Sequence, residues 1–114
     1  MIQEGKLMSE PFFDEAIRNE LLELMSPEDL KGMDQELHGQ LSEMPPELEA
    51  AYAAADWSTV YQLAHKVAGA SEMLGAAALG GALRRIEAAA MDNKPGDMSH
   101  FQRVAQEALG ILAS

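Results

Sequence analysis

Residues 64–76 read Ala64-His65-Lys66-Val67-Ala68-Gly69-Ala70-Ser71-Glu72-Met73-Leu74-Gly75-Ala76, and they set a histidine on the polar side of an amphipathic helix. With the helix taken from Trp57, apolar and small residues recur at Trp57, Val60, Ala64, Val67, Ser71 and Leu74, flanked by Leu63 and Ala70. That alternation of threes and fours makes one core-facing stripe. At about 100° per residue, His65 falls well away from the centre of the stripe and Gly69 falls almost opposite it. Tyr61, Gln62, Ala68 and Glu72 ring the histidine. A glycine in a helix interior costs about 1 kcal/mol relative to alanine, so its place on an exposed face, one turn from an imidazole, needs a reason. A partner surface that comes close to the ring, where a β-carbon at position 69 would obstruct it, supplies one. A surface histidine beside an incidental glycine is the plainer alternative.

The longer pattern resembles the histidine-containing phosphotransfer (HPt) domain. Its features are Ala64-His65, a hydrophobe two residues on at Val67, Gly69 at the fourth position, the small residues Ala70 and Ser71, then Leu74-Gly75-Ala76. The flanks agree. Residues 50–57 end in Asp56-Trp57, which often precedes this helix, and Leu79 to Glu87 (LGGALRRIE) looks like the helix that follows in the family. The likeness spans Phe12 to Leu112, with its specificity in about a dozen residues around His65.

Composition bounds the rest. A chain of 114 residues forms one domain with a single modest core. It is 47% hydrophobic but only 5% aromatic, so the core is built from Ala, Leu and Met, which favours helices. The net charge of −11 argues against nucleic acid and anionic membrane as partners. With no cysteine there is no disulfide framework, thiol nucleophile or thiolate metal site. The first residues lack an apolar signal core, and no run is long enough to span a bilayer. A cytoplasmic location is expected.

Along the chain, residues 1–10 read as a flexible tail and 11–114 as the helical domain. Phe12-Phe13-Asp14 leads into a short amphipathic helix carrying Ala16, Ile17, Leu21, Leu24 and Met25. Ser26-Pro27-Glu28-Asp29 reads as an N-cap, a first-turn proline and acids facing the helix dipole. The helix it starts carries Leu30, Met33, Leu37, Leu41 and Met44. Pro45-Pro46 is expected to interrupt it, with a further short helix to Ala54 as a separate element or a kinked continuation. Asp56 caps the central helix and Gly75 ends it. Residues 77–91 form the next helix, with Leu79, Leu83, Ile86 and Ala90 inward. A turn-rich loop at 93–97 precedes a last helix that buries Phe101, Val104, Ala105, Ala108 and Leu112. Short loops imply antiparallel neighbours. The expected fold is all-α: an up-and-down antiparallel four-helix bundle with an additional short N-terminal helix, HPt-like.

A neutral imidazole is a nitrogen nucleophile near neutral pH, the reference pKa of histidine being about 6.5. Attack on a phosphoryl group needs the ring exposed, oriented and backed by positive charge. The sequence has no Gly-rich phosphate loop and no carboxylate set for magnesium, so it carries no kinase apparatus or cofactor of its own and the phosphoryl group must come from a partner. The resemblance implies which: the receiver domain of a response regulator or of a hybrid sensor histidine kinase, with its aspartyl phosphate and bound Mg²⁺. His65 would take the group on Nε2 and pass it to another receiver aspartate.

One departure matters. The family usually has lysine three residues after the histidine, near the phosphoryl group; here that residue is Ala68. Lys66 points about 100° away round the helix and replaces it poorly. His65 stands ten residues before Gly75, so at about 1.5 Å per residue the same level on an antiparallel neighbour falls near Arg84, Arg85 and Ile86. Ile86 belongs to the core. That leaves Arg84 and Arg85 either to lend charge or to form a merely solvated face. Glu72 reads as the only acid on the exposed side near His65, within a small basic or neutral dock. Tyr61, Gln62 and Met73 are candidates for the same docking surface. Gly80-Gly81 reads as a close helix contact. His38, one turn after Asp34, reads as half of a surface His–Asp pair without further metal ligands, and His100 has no obvious partner. Two other functions stay open: an HPt-like module that docks receivers or a kinase without carrying phosphate, which Ala68 favours, and a plain structural bundle that makes no use of His65. A complete four-helix core implies a monomer.

Overall fold

A computed structural model describes residues 12–113 as five helices, with no strand among them. They are α1 (Glu15–Leu24), α2 (Pro27–Ala53), α3 (Trp57–Met73), α4 (Ala77–Met91) and α5 (Met98–Leu112). The tail expected over residues 1–10 lies outside the described residues. Helices α2 to α5 each pack on the next, and α5 returns to α2, which closes a four-helix bundle with α1 alongside α2. The α3–α4 pair is the most extensively packed. No described helix is long and apolar enough to cross a membrane.

The helix starts follow their capping chemistry. Asp14, Ser26, Asp56 and Asp97 each accept a hydrogen bond from the backbone N–H three residues on, at 3.0–3.2 Å, and so satisfy donors that a helix N-terminus leaves free. The turn after α3 depends on Gly75, whose φ of +73° is a conformation costly for residues with a β-carbon. A β-carbon there would also stand 3.1 Å from Ile17 Cγ2. The segment before α1 closes over this turn. Asp14 donates its N–H to the Gly75 carbonyl at 2.7 Å and Ala78 donates to the Phe12 carbonyl at 3.3 Å. Arg18 reaches the Leu74 carbonyl at 3.1 Å, makes two 2.8 Å bonds to Asp34, and lies 4.1 Å from the centre of the Phe13 ring.

Two expectations about the helices need correction. Pro45 and Pro46 do not end the second helix: α2 runs through both, although neither has an N–H to offer the carbonyls of Leu41 and Ser42. Met44, Leu48 and Ala51 are all buried, so the apolar stripe continues across the prolines, and its burial offsets the loss of about 3 kcal/mol expected for an interior proline. The first helix contributes less than its pattern suggests. None of its residues is buried, and Leu24 is 81% exposed. The expected core positions of α4 are all buried, as are those of α5 except the half-buried Val104.

Candidate functional site

The site is built where the middle of α3 faces the second half of α4. Val60, Ala64, Val67 and Ser71 turn their side chains into the core, which leaves the His65 side chain on the rim facing α4, 57% exposed. Contacts advance along α4 as they recede along α3: Glu72 meets Arg84, and His65 meets Glu87. This is the register of an antiparallel pair.

The imidazole is held at two places. Tyr61, one turn earlier, stacks nearly parallel on it, with ring centres 5.5 Å apart and planes inclined by 11°. On its edge, Nδ1 lies 2.8 Å from Oε2 of Glu87. Burial is the largest single influence on the Glu87 carboxyl and favours its neutral form. Hydrogen bonds from Arg84 and His65, together with the charge of these two groups, outweigh it, and the group stays below the ordinary carboxylate range. An ionised carboxylate can only accept, so Nδ1 carries the proton and donates it to Glu87. Nε2 then keeps its lone pair. The Arg84 Nη1 nitrogen, 3.3 Å from Nδ1, is a neighbouring charge rather than a donor to this protonated nitrogen.

Arg84 is itself bracketed. Nη1 donates to Glu87 Oε1 at 2.6 Å, while Nε and Nη2 donate to the two oxygens of Glu72 at 2.9 and 2.7 Å. The hydrogen bond from Arg84 is the main cause that holds the Glu72 carboxyl below its usual range. The same two carboxylates raise the Arg84 pKa above the ordinary arginine value. Gly80 gives this reach room: a β-carbon there would lie 3.0 Å from Glu72 Cγ, and the Glu72 stem crosses α4 where the helix has no side chain.

The other candidates fall into two groups. Gln62, Lys66 and Met73 are exposed on α3, and Gly69 is half-buried among them with open space where a β-carbon would go. Ala68 is a correction. It is fully buried, because the packed face of α3 is wider than the stripe and α4 crosses it at Gly80. No partner can touch its side chain. Arg85 is the second correction: one residue on from Arg84, it turns to the cleft of about 320 Å³ between α4 and α5, beside His100 and Glu107. Of Gly80 and Gly81, only the first is a close helix contact, since a β-carbon on Gly81 would meet nothing. Asp34 pairs with Arg18 rather than with His38. Among the described residues no group of His, Cys, Asp or Glu is placed to hold a metal ion.

Sequence reading missed Glu87 and so misjudged the charge of the site. Glu72 remains the acid on the exposed side, but the mostly buried Glu87 adds a second carboxylate, so two carboxylates share one guanidinium and the dock expected to be basic or neutral is not basic. The signal was present in Arg84 and Glu87, three apart on one helix face, a spacing that makes neighbours.

The family model described as Hpt domain matches residues 20–112. Comparison with curated proteins and with solved structures gave no significant match. The matched stretch contains His65, Glu72, Arg84 and Glu87 and covers most of the chain, which therefore belongs to the Hpt domain family, the phosphotransfer modules of two-component signalling.

Proposed function

We propose that this protein is a phosphorelay carrier in which His65 takes a phosphoryl group from the aspartate of one receiver domain and hands it to another. The observation that carries this reading is the 2.8 Å bond between Nδ1 and an ionised Glu87 on a ring that is otherwise mostly in solvent. It fixes the tautomer whose free lone pair is on Nε2. In the accepting step that lone pair attacks the phosphorus of an aspartyl phosphate. The N–P bond forms as the bond from phosphorus to the aspartyl oxygen breaks, and the carboxylate stays on the receiver. The ring becomes a phosphoimidazolium that keeps its Nδ1 proton, and Glu87 stabilises its positive charge. In the donating step the N–P bond breaks and the ring leaves as neutral imidazole with the same proton in place. Glu87 is thus a positioning residue for both directions.

Positive charge for the phosphoryl oxygens comes from Arg84, on the helix opposite, in place of the lysine that Ala68 displaces. Tyr61, Gln62, Lys66, Gly69 and Met73 form the surface that meets the receiver, and Gly69 gives the closest approach. The Mg²⁺ ion and the acyl phosphate belong to the receiver, so the chain acts as a carrier without kinase activity. The test is transfer from a panel of phosphorylated receiver domains at neutral to alkaline pH, with His65→Gln as control. Label on the wild type and not on the variant is expected. Receiver binding without label would replace this reading with that of a docking module, and neither label nor binding would leave a structural bundle.

A further inference from the structure

Resting on that reading of His65, we infer that Glu72 is a built-in competitor for Arg84: by occupying the guanidinium it keeps a phosphoryl group on His65 at high free energy and biases the protein towards giving the group away. Arg84 is the nearest cation to the imidazole, and its Nε and Nη2 edge is fully engaged by Glu72 in a two-pronged contact. Its remaining nitrogen, Nη1, bonds to Glu87. A phosphoryl group brings about −1.5 to −2 charge at neutral pH. It arrives beside two carboxylates and one guanidinium, a cluster already one charge negative. To bind Arg84 well it must displace Glu72, the half-exposed partner of the two; Glu87 is only 11% exposed and is also tied to the ring.

The competition is built into the backbone. Glu72 reaches Arg84 across a glycine, residue 80, where a β-carbon would stand 3.0 Å from the glutamate Cγ and push the stem aside. The contact also joins the helix that carries the nucleophile to the helix that carries its counter-charge, so it does not arise from adjacent residues of one helix turn. Lys66 is exposed on α3, and no ion pair of Lys66 is found among the described residues. It is the only other cation within one turn of His65 on its own helix.

The experiment is the equilibrium partition of phosphoryl group between this protein and a receiver domain that exchanges with it, charged with phosphoramidate. The equilibrium constant depends only on the free energies of the separated proteins, so it is blind to docking contacts, which alter forward and reverse rates alike. Glu72→Gln is expected to shift the partition towards His65 by about threefold to tenfold, the scale of a partly exposed charge pair. Gly80→Ala, which crowds the Glu72 stem without changing charge, is expected to shift it the same way, and Arg84→Gln the opposite way. Circular dichroism checks that each variant is folded. A wild-type protein that takes no label on His65 would remove the carrier reading itself. Labelling of wild type and Glu72→Gln with equal partition constants would overturn this inference alone, and altered rates at an unaltered constant would make Glu72 a docking residue instead.

Discussion

Gly69 offers a perturbation that should push stability and function in opposite directions. It lies in the interior of α3, half-buried, and a β-carbon built on it meets no atom within 4 Å. Its backbone is helical, so alanine fits without strain. The gain is then the intrinsic helix preference of alanine over glycine, about 1 kcal/mol. In a domain of this size that raises the melting temperature by about 5 °C. Glutamine at the same position keeps most of the gain, being a good helix former. Phosphoryl transfer should respond differently. Alanine adds one carbon to the surface that faces the receiver, and glutamine adds five heavy atoms one turn from His65. Transfer from a phosphorylated receiver is expected to slow modestly with Gly69→Ala and by tenfold or more with Gly69→Gln. Gly81→Ala is the control: it too is open on a helix exterior, and it should stabilise by a similar amount without changing transfer. Thermal denaturation and single-turnover transfer on the same samples decide the matter. If Gly69→Gln is stabilised and transfers at the wild-type rate, no partner surface approaches position 69, and the glycine has no functional reason.

Three further outcomes follow from the structure. Glu87→Gln removes a charge-assisted hydrogen bond of a kind worth about 1.5–3 kcal/mol; transfer is expected to slow by roughly tenfold or more while receiver affinity, measured by titration calorimetry, stays close to that of the wild type. An unchanged single-turnover rate would remove Glu87 from the mechanism. Arg18→Ala loses two bonds to Asp34, one to the Leu74 carbonyl and the Phe13 contact, and leaves Asp34 unpaired. A loss of about 2–3 kcal/mol in urea denaturation is expected, and a loss below about 0.5 kcal/mol would show that the α1 clasp contributes nothing. The depressed carboxyl groups of Glu72 and Glu87 bind protons less readily folded than unfolded. Their contribution to stability is therefore fully present above the unfolded value of about 4.3 and disappears as pH falls through the lower folded values. The urea midpoint of the wild type should fall more steeply between pH 5 and 3 than that of Glu72→Gln/Glu87→Gln, and equal slopes would contradict the assignment.

The sequence made the bundle legible because its signals were local. Asp56 and Gly75 bracket α3 at the cap and turn where the helix begins and ends, and the spacings of Leu79, Leu83 and Ile86 mark a buried face. Pro45-Pro46 was misleading because local propensity opposed a long stripe, and the stripe prevailed through contacts that only the assembled bundle supplies. Within the site, the exposure of His65 and the nearness of Arg84 followed from periodicity and register. Glu87 did not, since its pairing with His65 spans 22 residues and depends on which rotamers meet across two helices. Ala68 failed for a related reason. A helical wheel gives a direction from the axis, whereas burial depends on where the neighbouring helix crosses, and α4 crosses over Ala68 at Gly80.

The prolines within α2 also bear on how the protein comes apart. A continuous helix of 27 residues would ordinarily open from its ends as one cooperative unit. At Pro45 and Pro46 the chain of amide-to-carbonyl links is missing two members, so the turns on either side are joined by side-chain packing more than by the backbone ladder. The last two turns, after Pro46, hold Leu48 and Ala51 in the core, and Tyr52 accepts a bond from the Gly96 N–H of the α4–α5 loop at 2.8 Å. They are thereby tied to a loop that packs on Ile86, next to Glu87, and through Tyr52 to Trp57 of α3, whose ring centre is 5.5 Å away. Native-state amide exchange should resolve α2 into two opening units, with the half beyond the prolines opening together with the α4–α5 loop that Tyr52 holds.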